Sequence, residues 1–116
     1  MHALIIEDEA IIAMAIEDAL RDCGFVSFDF AVSVDTAVAA AVQRCPDMIT
    51  ADVRLAPGNG IDAVETICLE YPVPVIFITA NIPETRRRCP DHILVAKPFS
   101  PADVGRAVQL VGLPQA

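Results

Sequence analysis

Five short apolar runs alternate along the chain with segments whose apolar residues recur every three or four positions. This is the pattern of successive β-α units that build a parallel sheet. The strand candidates are residues 2–6 (HALII), 26–30 (VSFDF), 48–51 (MITA), 74–79 (PVIFIT) and 93–96 (ILVA). Four of them are almost continuously apolar, as strands covered on both faces should be. VSFDF alternates instead, which predicts an edge position.

The helices between these runs carry their own start and stop signals. The first is expected over about residues 9–22, ending at Gly24. The second, 33–44, has Ser33 as N-cap, Asp35 in its first turn, apolar residues at Val34, Ala37, Val38, Ala41 and Val42, and Pro46 beyond its end. The third runs from about Ile61 to Glu70 and is closed by Pro72. The last opens with Ser100, Pro101 and Asp103 in a capping-box arrangement, carries Val104, Ala107, Val108 and Val111 on one face, and has Gly112 past its end. Between the fourth and fifth strands, Pro83 and Pro90 limit any fourth helix to about two turns. Residues 1–116 are therefore expected to form one (βα)5 domain, with neither repeat nor linker.

Composition narrows the functional classes. With 54% hydrophobic and 21% charged residues the chain is globular in character, and no apolar run approaches the eighteen or so residues of a membrane span. A cytoplasmic location is expected, since MHALIIEDEA lacks a basic flank and cleavage site. Sixteen acidic against eight basic residues leave a net charge of -8, which would repel a phosphate backbone and argues against direct nucleic-acid binding. The basic run Arg86 to Arg88 reads as a solvated turn. Cys23, Cys45, Cys68 and Cys89 show neither C-x-x-C spacing nor a neighbouring histidine, and are expected as reduced thiols. His2 and His92 are expected at the surface, and Met14 and Met48 in the core.

Residues 50–63, TADVRLAPGNGIDA, offer two competing readings. GNGIDA fits the G-x-G-x-x-A turn of dinucleotide sites, but that fingerprint wants its first glycine directly after the strand and an acid about 20 residues further on. Four residues, RLAP, lie between Val53 and Gly58, and residues 76–82 (IFITANI) hold no acid. GNGIDA is instead expected to be the bend that leads into the third helix, with Asp52 as the chemically significant residue.

Ligands of open parallel sheets bind outside the carboxyl ends of the strands. Those ends carry Glu7 and Asp8, Asp52, Thr79 and Lys97. Two carboxylates about 4 Å apart repel by roughly 4 kcal/mol at an effective dielectric of about 20, and three demand a cation. Mg²⁺, which takes a few carboxylates and leaves positions for phosphate oxygens, answers that demand, with Lys97 supplying a further point charge.

These residues resemble the receiver domain of two-component response regulators over essentially the whole chain. The resemblance rests on Glu7-Asp8 in LIIEDE, Asp52 in ADVRL with Gly60 eight residues on, Thr79-Ala80 in FITA, and Lys97-Pro98-Phe99 in AKPF. It implies a doubly wound, flavodoxin-like sheet of order 2-1-3-4-5. It implies Asp52 as phosphoacceptor from a histidine kinase or phosphotransfer protein, and Mg²⁺ held by Glu7, Asp8, Asp52 and the backbone carbonyl of Arg54. Lys97 would neutralise the phosphoryl group, after a cis Lys97-Pro98 bond has seated it, and Thr79 with its loop would switch. Catalysis would be limited to the protein's own phosphorylation and dephosphorylation.

The wording of LIIEDEAIIAMAIEDAL, ADVRLAPGNGIDAV and PVIFITA is similar to receivers of alphaproteobacterial general stress response regulators. In those a sigma-factor-like domain precedes the receiver and an anti-sigma factor is the partner, so this chain is expected to be a stand-alone receiver or a fragment. Three positions depart from the pattern. Leu94 replaces the usual aromatic three before Lys97, so signal is expected to leave through the 80–92 loop. Seventeen residues separate Thr79 from Lys97, and Pro57 comes five after Asp52. Arg54 and Asn81, each two residues beyond a site residue, are expected to face the phosphoryl pocket and tune hydrolysis. The competing readings are a receiver-like interaction module without phosphorylation and a haloacid dehalogenase type phosphatase. The latter needs an acid two residues after its nucleophile, where this chain has Arg54.

Overall fold

The computed structural model describes residues 1–55 and 58–113. Five strands and five helices alternate: β1 (His2–Ile6), α1 (Ala10–Arg21), β2 (Ser27–Ala31), α2 (Val34–Gln43), β3 (Met48–Ala51), α3 (Gly60–Glu70), β4 (Val75–Thr79), α4 (Ile82–Arg88), β5 (Ile93–Ala96) and α5 (Pro101–Leu110). Among the described residues all strand–strand pairings are parallel, and the sheet order is β2-β1-β3-β4-β5. The chain starts at an inner strand, winds outward to β2, then crosses back and proceeds to β5. That reversal places the carboxyl ends of β1 and β3 side by side, where a doubly wound sheet opens its crevice.

Alternation along the strands separates two apolar layers. Leu4, Ile6, Ile49 and Phe77 face α2 and α3 and meet Ala37, Ile61 and Ile67. Ala3, Ile5, Ile76 and Ile78 face α1 and α5 and meet Ile16, Leu20 and Val104. The inner strands β1, β3 and β4 are buried at every position. β2 lies at an edge, as its alternation predicts. So does β5, whose apolar run is only partly covered. Its hydrophobicity serves α5 and the α4 side rather than burial on both faces.

The expected caps are present. Ser33 and Ser100 each accept from the backbone three residues on, and Thr36 and Asp103 complete the two boxes. Asn59 caps α3 by accepting from the Asp62 amide. Just before it, Gly58 takes φ +86, a left-handed conformation that a side chain would resist. GNGIDA is thus the bend into α3, and α4 is a seven-residue helix of two turns, both as anticipated. Pro57, on which one departure rests, lies outside the described residues. Boundaries differ by a residue or two: β2 is shifted one residue later than 26–30, and β4 begins after Pro74, which lacks an amide for the ladder.

Three burial expectations are corrected. His2 is buried, not superficial: its ring lies between Ser27 Oγ at 2.8 Å and Asp29 Oδ2 at 2.9 Å, and its amide donates to Asp47 Oδ2 at 2.7 Å. The β1–β2 register, which sets His2 against Ser27, supplies those partners. Met14 is exposed, because the buried stripe of α1 runs through Ala13, Ile16 and Leu20 and leaves Met14 beside it. Val42 is exposed likewise, at the open end of the α2 stripe. Met48 is in the core, and His92 is exposed with its ring 5.2 Å from that of Phe77. All four cysteines are free, and burial pushes the Cys23 and Cys89 thiols up, away from the reactive thiolate.

Thr50, in the middle of β3, has a buried hydroxyl without a hydrogen-bond partner among the described residues. Valine has the same shape and no polar atom to desolvate. Thr50→Val should therefore stabilise the protein by about 1 kcal/mol, read as a higher urea midpoint at unchanged slope.

Candidate functional site

Glu7, Asp52 and Lys97 each follow the last residue of a strand, where the ladder itself fixes the backbone, and Asp8 comes one residue later. The amide of Glu7 donates to Ala31 O at 2.9 Å, that of Asp52 to Ile6 O at 3.0 Å, and that of Lys97 to Thr79 O at 2.9 Å. Three crossover connections therefore end at one edge of the sheet. Glu7, Asp8 and Asp52 each present a carboxylate oxygen, all within 4.8 Å of one another. Glu7 and Asp52 are buried, and Asp8 is open to solvent.

Lys97 spans the two buried acids. Its Nζ donates to Glu7 Oε1 at 2.9 Å, Glu7 Oε2 at 3.2 Å and Asp52 Oδ2 at 2.9 Å. The other oxygen of Asp52, Oδ1, accepts from the Arg54 amide at 3.2 Å. One ammonium thus bonds two carboxylates of a cluster of three. Burial, opposed by the Lys97 hydrogen bond and reinforced by the charge of Asp52, pushes the Glu7 carboxyl up to about 7. Burial alone would lower Lys97, but its bonds to Asp52 and Glu7 outweigh it and raise the ammonium above its usual range. A donor set of three hard oxygens that, fully ionised, is left two positive charges short fits Mg²⁺.

The Glu7 shift has a consequence for stability. A carboxyl that binds its proton more tightly folded than unfolded stabilises the fold below its unfolded value, 4.5, and loses that contribution as pH rises through about 7. At one pKa unit per ~1.4 kcal/mol, the metal-free protein should lose on the order of 3 kcal/mol across that window from this group. Thermal melts from pH 4.5 to 8 in chelator, compared with Glu7→Gln, measure it. A difference between the two that does not change with pH would contradict the assignment.

Thr79 is buried at the end of β4, next to β3, and its Oγ1 accepts from the Asn81 amide at 3.0 Å. Ala80 is exposed. Asn81 is not turned to the acidic cluster as expected: its side chain caps α4, accepting from the Glu84 amide at 3.3 Å and donating to Glu84 Oε2 at 2.8 Å. The N-x-x-E spacing at 81–84 is a capping-box signature that would have shown this in the sequence. Arg54 is exposed, its backbone bridged to Asn59 across the loop. Leu94 sits opposite Phe77 in the ladder and packs into the α2–α3 layer. The Lys97-Pro98 bond is cis. Sequence reasoning missed the Lys97–Glu7 pairing, because ninety residues separate the two partners.

A doubly wound parallel sheet with paired acids, a central aspartate and a lysine at its carboxyl edge defines a receiver. The profile of the response regulator receiver domain family matches residues 3–109, and the chain belongs to that family. It is similar to the phyllosphere-induced regulator PhyR of Methylorubrum extorquens, with 42% identity over 110 residues that cover 90% of this chain and 41% of that protein. The receiver domain of PhyR from Erythrobacter litoralis, solved in solution, superposes with a TM-score of 0.85 at 36% identity, covering 99% of this chain and 95% of that one. The anti-anti-sigma factor PhyR from Bartonella quintana superposes with a TM-score of 0.80 at 36% identity, over 95% of this chain and 46% of that one. The chain spans 41% to 55% of the length of the first curated relatives it matches. Among the described residues no helix is long and apolar enough to cross a membrane.

Proposed function

We propose that the protein is a phosphorylation-driven signalling receiver, with Asp52 as acceptor of a phosphoryl group from the phosphohistidine of a sensor kinase or phosphotransfer protein. The observation that carries this is the placement of Asp52: buried, bonded by Lys97 on one oxygen, and within reach of Glu7 and Asp8. In the transfer, an Asp52 carboxylate oxygen bonds to phosphorus as the phosphorus–nitrogen bond to the donor imidazole breaks. The protein's part is positioning and charge, which is most of what phosphoryl transfer requires. Mg²⁺, held by Glu7, Asp8, Asp52 and the Arg54 carbonyl, would supply charge neutralisation on the phosphoryl oxygens. Lys97 already donates to Asp52 and moves its hydrogen bond to the new phosphoryl group. A cation held there would keep Glu7 ionised.

Thr79 answers the added charge. Its hydroxyl, engaged with the Asn81 amide, turns to donate to a phosphoryl oxygen, and the 80–92 loop with α4 follows. Leu94 offers no rotating aromatic, so this loop is the route outward. Similarity to PhyR points to a downstream protein partner of the anti-sigma type. Arg54 two residues after Asp52 does not support a haloacid dehalogenase type reaction, and the chain catalyses only its own phosphorylation and dephosphorylation.

Incubation with acetyl phosphate and Mg²⁺ should add one phosphoryl mass. Hydroxylamine should remove it, as expected of an acyl phosphate, and fragmentation should place it on Asp52. An unmodified mass under saturating donor would instead favour an interaction module that works without phosphorylation.

A further inference from the structure

We propose, resting on the phosphoacceptor reading above, that Asn81 is the joint through which a phosphoryl group on Asp52 moves α4. Asn81 is bonded in two directions at once. Toward the site, its amide donates to Thr79 Oγ1 at 3.0 Å. Toward the helix, its side chain accepts from the Glu84 amide at 3.3 Å and donates to Glu84 Oε2 at 2.8 Å. Its carbonyl accepts from the Thr85 amide at 3.2 Å and from the Thr85 hydroxyl at 2.8 Å, and Thr85 is fully buried. Only Ala80 separates the switch hydroxyl from this cap.

The tie distinguishes α4 from the rest of the fold. Among the described residues, the caps of the other four helices make no bond to a side chain of the site. Thr79 is also placed to let go. Its buried hydroxyl accepts the Asn81 bond, yet its own proton has no acceptor among the described residues. A hydroxyl is one donor and two acceptors, and a phosphoryl oxygen on the neighbouring strand end supplies the missing acceptor. When the hydroxyl swings to that oxygen, the Asn81 amide loses its partner and the 80–81 peptide reorients. The bonds to Glu84 and Thr85 carry that change into the first turn.

The helix is short enough to follow its cap and has room to do so. In a seven-residue helix the first turn is half of the element, and so short a helix depends on its surroundings rather than on its own propagation. α4 packs against β4 and β5. On its α3 side, Cys89 and Pro90 face Ile61, Val64 and Cys68 across a cleft of about 620 Å³, lined also by Phe77, two residues before Thr79. α4 can therefore shift toward α3 without expelling packed side chains.

The Asn81 side chain bonds neither the acidic cluster nor Lys97, so Asn81 is a positioning residue. Three altered proteins separate coupling from mere capping. Asn81→Ala removes the cap, and Asn81→Ser keeps a cap oxygen. A glycine inserted between Ala80 and Asn81 leaves the cap intact but slackens its tie to Thr79, which keeps the test decisive if Asn81→Ala melts the helix. Phosphoryl uptake from acetyl phosphate should stay within about twofold of the wild type in all three. Each ¹⁵N-labelled protein is then compared with and without beryllium fluoride in Mg²⁺, a stable phosphoryl mimic on a carboxylate. The amides of residues 7, 52 and 97 should shift in every protein. The α4 amides should shift in the wild type and in Asn81→Ser, and severalfold less in Asn81→Ala and in the inserted protein. Full α4 shifts in the inserted protein, or a response lost equally in Asn81→Ser, would overturn the joint while leaving Asp52 as acceptor. Unshifted amides at 7, 52 and 97 in the wild type would overturn the phosphoacceptor reading, and the joint with it.

Discussion

Asp52→Asn is expected to abolish phosphoryl uptake from acetyl phosphate while leaving the fold intact. Asparagine keeps the shape and an oxygen for the Lys97 bond but is not a nucleophilic carboxylate. The substitution also removes one of the charges that push Glu7 up to about 7, so the Glu7 carboxyl should fall back toward its ordinary range. Two independent readouts follow. The phosphoryl mass should drop to background, and the stability lost between pH 4.5 and 7 should shrink relative to the wild type. Mg²⁺ affinity should fall with it, since one of three carboxylates is gone. A phosphorylated variant protein, carrying the group on Glu7 or Asp8, would show that the acceptor is misassigned. An unfolded variant would show that Asp52 is structural first.

Gly60→Ala should be the most disruptive single substitution for stability near the site. A Cβ at Gly60 would lie 1.8 Å from the Asp52 carbonyl oxygen and 2.8 Å from its carbonyl carbon. Both are backbone atoms at a strand end, and the Gly60 amide is itself tied to Val53 O at 2.9 Å, so neither partner has a flexible end to yield. The cost should reach about 3 kcal/mol or more, at or beyond the upper range for overpacking, with phosphoryl uptake reduced because the loop carrying Asp52 must shift. Gly105→Ala is the control. Nothing lies within 4 Å of its added Cβ, and alanine in the middle of α5 should stabilise by roughly 0.5–1 kcal/mol. A Gly60→Ala midpoint in urea close to the wild type would sink the claim that this glycine braces the acceptor loop.

The legible features are those that act over a few residues. Ser33, Ser100 and the bend at Gly58 each bond or turn within three positions of themselves, so their spelling is their structure. Asn81 was legible by the same rule, yet its position two after Thr79 suggested chemistry where the structure shows a cap. Met14 and Val42 were misplaced because a helical stripe is wider in sequence than the surface that covers it. His2 was misplaced because its partners, Ser27, Asp29 and Asp47, are supplied by another strand and a distant loop.

The sequence by itself determined the alternation of strands and helices, the order of chemically capable residues at strand ends, and the resemblance that those residues carry together. These depend on period, propensity and spacing, which are local. Only the tertiary structure decided which ends meet. Lys97 reaches Glu7 and Asp52 because the chain reverses at β1 and lays β3 beside it, a consequence of crossover connections packing on both faces of one twisted sheet. The same reversal strands β2 at the margin with Phe30 half in water, a position that nothing in VSFDF beyond its alternation specifies.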